Sequence, residues 1–187
     1  MKIIVTGSSG LIGSSLVGAL IGRGDEVTCL VRGAAHARRA DGAREVLWNP
    51  ARGELDAPEI EGHDAAIHLA GDPIAEGRWT EEKKQRIHES RVQGTTLLAE
   101  TLAKLNAPPR VLLSASAVGY YGNRGEETLT EASEPGADFL AGVCREWEAS
   151  TGAAKAAGIR VVLLRFGVVL SGAGGALAKM LPPFKLG

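Results

Sequence analysis

Three glycines spaced three residues apart follow a short apolar run near the start of the chain. The segment Thr6–Gly13 reads TGSSGLIG and contains Gly7, Gly10 and Gly13. In a strand-to-helix turn, the first glycine permits a tight turn, the second lets the main chain approach a pyrophosphate, and the third lets the helix pack on the strand. The free N–H groups of the first helical turn then point at the phosphates. The spacing therefore predicts a pyrophosphate site and a dinucleotide cofactor.

All residues of this turn are candidate cofactor contacts. Their main-chain N–H groups, and the two serine hydroxyls, are donors that suit a diphosphate. The predicted set is Thr6, Gly7, Ser8, Ser9, Gly10, Leu11, Ile12 and Gly13.

The second apolar run ends in a basic residue, Arg32, and the next acidic residue after it is Asp41. A fold that prefers NAD usually has an acidic side chain here for the ribose hydroxyls. A guanidinium instead matches the geometry of a 2′-phosphate. The sequence therefore favours NADP over NAD, with Arg32 as the selecting residue and Arg38 and Arg39 as candidate helpers. The alternative interpretation of Arg32 is a solvated surface charge.

Apolar runs and helical patterns alternate along the chain. The runs are continuous rather than alternating in polarity, which is typical of a parallel sheet covered by helices on both faces. We therefore expect an α/β, Rossmann-type, doubly wound parallel sheet with strand order 3-2-1-4-5-6, ending in a loop over residues 182–187. The predicted strands are Lys2–Thr6, Glu26–Val31, Glu45–Trp48, Ala65–Leu69, Arg110–Ser114 and Arg160–Arg165, and the predicted helices are Leu11–Arg23, Thr80–Leu105 and Asp138–Ala157.

The composition limits the classes of function. With 187 residues, 44% of them hydrophobic, the chain is long enough for one domain, which we assign to residues 1–187. Its 21 basic and 22 acidic side chains carry no basic excess of the kind that nucleic-acid binders show.

The apolar runs are shorter than the roughly 20 residues of a membrane helix. The two cysteines, Cys29 and Cys144, are expected to be reduced core residues of a cytoplasmic protein. The histidines have no metal-ligand spacing, so we expect no metal.

Several segments resemble the extended short-chain dehydrogenase/reductase superfamily. They are the glycine turn, His68–Gly71 (HLAG), Arg91–Thr95 (RVQGT) and Ser114–Gly122 (SASAVGYYG). A more specific resemblance is to its atypical "epimerase family protein" branch, which is NAD-dependent epimerase/dehydratase-like and sugar-nucleotide epimerase-like. That resemblance lies in Trp48–Pro50 (WNP), Arg78–Thr80 (RWT), Phe139–Glu148 (FLAGVCREWE) and Gly174–Lys179 (GGALAK). Because members of that branch are longer, the resemblance implies that their C-terminal substrate region lies outside this chain.

The resemblance implies roles at matching positions. Leu69, Ala70 and Gly71 would lie by the cofactor, the last two near the adenosine or its ribose. Ser114 would end the fifth strand near the nicotinamide, and Leu164–Val168 (LRFGV) would border the ring.

The chain departs from the superfamily at its acid/base pair. That pair is a tyrosine with a lysine four residues later, which places both groups on one face of a helix. Depending on the register, this chain has Phe139 and Val143 there, or Leu140 and Cys144. Neither pair can exchange a proton as tyrosine and lysine do.

Three other side chains are candidates for catalysis. Ser116 matches the superfamily's catalytic Ser/Thr, and Tyr120 and Tyr121 lie in the loop after the fifth strand. Their alternatives are a loop hydroxyl with its own partner and packed rings with bonded hydroxyls. The function we expect is that of an NADP(H)-dependent epimerase or reductase acting on a small molecule, with a nucleotide-linked sugar suggested by the family. The alternative is a non-catalytic NADP(H)-binding or sensing module.

Overall fold

A single sheet organises the chain. The computed structural model describes residues 1–33, 39–75 and 77–186. Its seven-stranded sheet has the order β4-β3-β2-β1-β5-β6-β7, in which β4 is antiparallel to β3 and the other neighbours are parallel. The strands are β1 Lys2–Thr6, β2 Glu26–Val31, β3 Arg44–Asn49, β4 Glu54–Leu55, β5 Ala65–His68, β6 Val111–Ala117, β7 Arg160–Phe166 and, outside the sheet, β8 Leu170–Ser171.

The predicted fold class is confirmed. Without the two-residue β4, the six parallel strands have the order that the sequence predicts. The strand β6 is longer than expected, because its small residues after Ser114 still pair with β7 as far as Ala117. Ser114 therefore lies in the middle of a strand rather than at its end.

The helices differ from prediction in two places. The segment expected as one helix over Asp138–Ala157 forms two, because hydroxyls interrupt it: Thr151 Oγ1 donates to the carbonyl of Glu148 at 2.7 Å, and a weak helix former, Gly152, follows. The segment expected as a terminal loop is helical despite Pro182, since strong helix formers precede it. The helices are α1 Leu11–Gly22, α2 Glu81–Ala103, α3 Phe139–Ala149, α4 Gly152–Ala156 and α5 Gly175–Leu186, with short 3-10 turns at Pro50–Arg52, Ala57–Ile60 and Val118–Tyr121.

Helices cover both faces of the sheet. On one face, Ile4 of β1 belongs to a buried cluster with Leu98 and Leu102 of α2. On the other face, Val5 packs with Val17 of α1. Because the strands are parallel, their carboxyl ends meet at one edge, where the glycine turn and the loops after β5 and β6 also lie. Among the described residues, the helices are all too short or too polar to cross a membrane.

Candidate functional site

The glycine turn leaves no room for side chains at two of its three glycines. Gly7 has a φ of +69°, and a Cβ on it would lie 2.7 Å from the carbonyl carbon of Leu69. A Cβ on Gly13 would lie 2.1 Å from the carbonyl oxygen of Gly7. Such distances require the main chain to move, so the turn packs directly on α1 and on the loop after β5.

The amino terminus of α1 is left open. Gly10 donates its N–H to the carbonyl of Gly7 at 3.0 Å and begins the helix without a side-chain cap. In contrast, Thr80 caps α2 and Asp138 caps α3, each through a side-chain oxygen. Within the part of the chain that the structure describes, no side chain therefore caps the N–H groups of Leu11, Ile12 and Gly13 in the first turn of α1. This cradle of main-chain donors and missing Cβ atoms fits a diphosphate.

One of the candidate arginines, Arg39, contacts the glycine turn. Arg39 Nη1 donates to Ser8 Oγ at 3.4 Å, and Arg39 Nη2 lies 3.0 Å from a carboxylate oxygen of Asp41. Ser8 is buried, whereas Ser9 and Arg32 are exposed. The third candidate arginine, Arg38, lies outside the described residues.

Thr6 holds the loop after β5 against the glycine turn. Its Oγ1 accepts hydrogen bonds from the N–H groups of Leu69 at 3.1 Å and Ala70 at 3.2 Å. The same hydroxyl lies 2.7 Å from Nδ1 of His68, whose Nε2 lies 2.9 Å from Thr95 Oγ1. Because Thr6 already accepts two bonds, its own proton goes to Nδ1, and Nε2 therefore carries the ring proton. Complete burial lowers the pKa of His68 from 6.5 to about 4, so the ring is neutral and structural.

Gly71, the last predicted cofactor contact of this loop, lies against a guanidinium. A Cβ on Gly71 would come within 3.3 Å of Arg91 Cζ. Arg91 Nη1 donates to the carbonyls of Asp72 at 3.1 Å and Ile87 at 3.0 Å.

Ser114 and Ser116 are both buried in β6. Among the described residues, the hydroxyl of Ser114 donates only to the neighbouring carbonyl of Ala115, at 3.4 Å. Ser116 Oγ donates to Glu148 Oε1 at 2.6 Å. The hydroxyl proton of Ser116 is thus already used in a hydrogen bond to a carboxylate of α3.

The three candidate catalytic residues meet around Arg165. Its Nη1 donates to the hydroxyl of Tyr121 at 2.9 Å, and its Cζ lies 3.5 Å from the ring centre of Tyr120. Its Nε and Nη2 donate to the two carboxylate oxygens of Glu148 at 2.8 and 2.9 Å. The bonds to Glu148 and then Tyr121 raise the pKa of Arg165, so it remains charged.

Sequence reasoning did not single out Arg165 as the centre of this cluster. The signal was an arginine near the end of an apolar strand, a place where a charge requires a partner. Of the two tyrosines, Tyr121 is buried and bonded, whereas the hydroxyl of Tyr120 has no hydrogen-bond partner among the described residues.

The structure decides the register of α3. A Cβ on Gly119 would lie 3.6 Å from Leu140 Cβ and 4.0 Å from Cys144 Sγ, so these two residues face the loop after β6. Phe139 instead packs edge-on against Trp79, with ring centres 5.9 Å apart. Of the two pairs that the sequence leaves open, Leu140 and Cys144 are therefore the one that lies against the loop carrying the candidate tyrosines. Burial raises the pKa of Cys144, which keeps its thiol protonated.

Comparison with known proteins identifies a family. The model of the NAD dependent epimerase/dehydratase family matches residues 3–183. An epimerase family protein of Mycobacterium bovis is 42% identical over 185 residues, which are 99% of this chain and 59% of that protein.

Two solved structures are similar in fold and sequence. One is a nucleoside-diphosphate sugar epimerase from Corynebacterium glutamicum, with a TM-score of 0.82 and 40% identity over all of this chain and 38% of that one. The other is a human epimerase family protein solved with NADPH, with a TM-score of 0.83 and 32% identity over all of this chain and 60% of that one. The present chain thus spans about three-fifths of the length of the curated relatives it matches.

Proposed function

The chain belongs to the NAD-dependent epimerase/dehydratase family, and we propose that it binds NADP(H) and transfers hydride to and from a small-molecule substrate as an epimerase or reductase. One observation carries the proposal. Gly7 and Gly13 admit no side chain because of their packing, while no side chain among the described residues caps the helix that follows.

The preference for NADP rests on charge. Arg32 at the end of β2 and Arg39 beside Ser8 put two guanidiniums near the predicted adenine end of the cofactor. A guanidinium binds a 2′-phosphate through paired hydrogen bonds. The human relative that was solved with NADPH supports the same assignment.

The cofactor supplies hydride chemistry at nicotinamide C4, and the chain must exchange the accompanying proton. We assign that exchange to Tyr120. It lies at the carboxyl end of β6, and its hydroxyl has no partner among the described residues. Ser116 and Tyr121 position it indirectly, through Glu148 and Arg165.

The substrate is proposed to be a nucleotide-linked sugar. The support is similarity to the sugar epimerase of Corynebacterium glutamicum, 40% identical over the whole of this chain. In such an epimerisation, hydride would leave the sugar carbon and return to its opposite face.

A second candidate function is a non-catalytic NADP(H)-binding module. It is favoured by the side chains that α3 turns towards the loop after β6, because Leu140 and Cys144 offer no tyrosine and lysine for proton transfer. In that case, the chain would bind the cofactor without turning it over.

Titration and turnover together test the proposal. Calorimetry with NADPH and NADH should give the tighter complex with NADPH. NADPH oxidation with a panel of carbonyl compounds, including nucleotide-linked 4-keto sugars, should then give hydride transfer. Tight binding with no transfer to any compound would favour the non-catalytic module, and the absence of binding to both nucleotides would contradict either function.

A further inference from the structure

Two exposed aromatic side chains form a patch where α2 and α3 begin. Trp79 lies two residues before the first residue of α2, and Phe139 is the first residue of α3. Trp79 is 42% exposed and Phe139 is 36% exposed, although their rings pack against each other. Large apolar side chains that remain together on the surface mark a binding site more often than single ones do. The Trp79–Phe139 patch is therefore a candidate site for a ligand.

The indole of Trp79 is held in one orientation. Its Nε1 donates to the carbonyl of Ile74 at 2.9 Å, within the loop after β5. Its ring meets that of Phe139 edge to face, at an angle of 72° between the ring planes. Because the nitrogen already has an acceptor, the indole can offer a ligand its apolar ring surface rather than a hydrogen bond. A ring fixed in this way loses little further freedom when a ligand stacks on it.

The patch lies beside the proposed chemistry rather than at the adenine end of the cofactor. The helices α2 and α3 follow β5 and β6, so both begin at the carboxyl edge of the sheet, where ligands bind in this fold. Leu140, which follows Phe139, faces the loop that carries Tyr120. Arg32, in contrast, belongs to the β1–β2–β3 half of the sheet. The position of the patch thus suits a substrate.

Two ammonium groups accompany the patch. Lys84 Nζ lies 5.7 Å from the ring centre of Phe139 and 2.8 Å from a carboxylate oxygen of Glu81. Lys179 of α5 donates to the carbonyl of Ala75 at 3.2 Å, in the same loop that precedes α2. An aromatic surface with positive charges beside it matches a ligand that has both a planar ring and phosphates. A nucleoside diphosphate has both.

We infer that Trp79 stacks on the base of a nucleotide-linked substrate and so fixes the nucleotide end of that substrate beside Tyr120. This assignment rests on the proposed function and names the side chain that recognises the nucleotide. Every base has a flat face, so stacking on an indole favours nucleotides as a class over sugars without a base.

Calorimetry with the protein saturated with NADP+ tests this role, because the cofactor then occupies its own site. The probes are the diphosphates of uridine, thymidine, cytidine and guanosine. We expect Trp79→Ala to weaken the binding of these probes by about fivefold to a hundredfold, the range for stacking one base on an aromatic ring. The affinity for NADP+ should stay at the parent value, which shows that the variant is folded.

Two further variants serve as controls. Trp79→Phe keeps an aromatic ring and should recover part of the affinity for the diphosphates. Leu47→Ala removes another exposed apolar side chain, from β3 in the other half of the sheet, and should leave that affinity unchanged.

The outcomes distinguish the inference from the function on which it rests. Binding of NADP+ and of the diphosphates, with only the second weakened by Trp79→Ala, supports the stacking role. Unchanged affinity for the diphosphates, equal losses for NADP+ and the diphosphates, or a parent that binds NADP+ but no diphosphate would overturn that role and leave the cofactor proposal intact. A loss confined to glucose 1-phosphate would assign Trp79 to the sugar and also overturn it. A parent that binds neither NADP(H) nor any diphosphate would overturn both.

Discussion

Glu148 and Arg165 form a bidentate ion pair next to the loop that carries both candidate tyrosines, with N–O distances of 2.8 and 2.9 Å. The side chains are only 9% and 16% exposed. The pair joins α3 to β7 and fixes Ser116 on one side and Tyr121 on the other.

The burial of this pair predicts a large loss of stability when one partner is neutralised. Glu148→Gln leaves the partly buried guanidinium of Arg165 without a carboxylate partner and should lower the free energy of unfolding by about 2 kcal/mol. The matched control is the ion pair of Arg124 with Glu127, which is also bidentate but whose side chains are 30% and 47% exposed. Glu127→Gln should cost less than about 1 kcal/mol. Urea denaturation measures both, and equal losses would contradict the argument from burial.

His68 predicts a pH dependence of stability. Its pKa of about 4 in the folded chain is below the ordinary value of 6.5, so the unfolded chain binds the proton more readily between those pH values. The free energy of unfolding therefore rises with pH across this window, and about 3 kcal/mol is lost as the pH falls from 6.5 to 4. In His68→Gln, the free energy of unfolding should no longer rise with pH in this window by the amount that His68 contributes in the parent. An NMR titration in which the His68 ring protonates near pH 6.5 would refute the premise.

Substitutions at Gly10 and Gly13 are expected to have different effects, the first on cofactor affinity and the second on stability. Gly10 has φ −76° and ψ 172°, a β conformation that valine adopts, and a Cβ there meets only the carbonyl of Gly7 at 3.3 Å. Gly10→Val should therefore fold but bind NADPH at least about tenfold more weakly, because the side chain obstructs the phosphates. Gly13→Ala forces a main-chain clash and should lose about 3 kcal/mol or more of stability. Calorimetry and thermal unfolding test the pair, and unchanged affinity in Gly10→Val would count against the phosphate site.

Arg32 is expected to discriminate between the two nicotinamide cofactors. Arg32→Ala should weaken NADPH binding by about tenfold to a hundredfold and leave NADH binding unchanged, since only NADPH has the 2′-phosphate. Arg110→Ala is the matched control, because this exposed arginine precedes β6 at the opposite edge of the sheet. Equal affinities of the parent for NADPH and NADH would remove the basis of this prediction.

Substitutions of the two tyrosines should affect different properties, hydride transfer for Tyr120 and stability for Tyr121. Tyr120→Phe removes a hydroxyl without a partner among the described residues, so folding should be unaffected while hydride transfer slows by about a hundredfold. Tyr121→Phe removes the acceptor of an Arg165 bond and should cost about 2 kcal/mol of stability. Single-turnover NADPH oxidation and urea denaturation provide the two readouts. Full activity in Tyr120→Phe would exclude it as the proton-exchange residue.

The parallel sheet and its glycine turn were predictable because both depend on local patterns. Continuous apolar runs indicate strands that are buried on both faces, and glycine spacing at a strand–helix junction follows from the path of the main chain. The division of the helix after β6 was not predictable from apolar periodicity, since it arises where the hydroxyl of Thr151 competes for a backbone carbonyl. Similarly, Pro182 indicated a loop where a helix forms.

The sequence by itself therefore determined the architecture, the glycine turn and the absence of a tyrosine–lysine pair in either register. Only the tertiary structure decided that Leu140 and Cys144 face the loop after β6, and that Arg91 and Arg165 contact Trp147 and Glu148 of the same helix. The reason is physical. Local preferences act over a few residues, whereas these contacts join side chains from α2, α3, β6 and β7 that meet only when the sheet and its helices pack together.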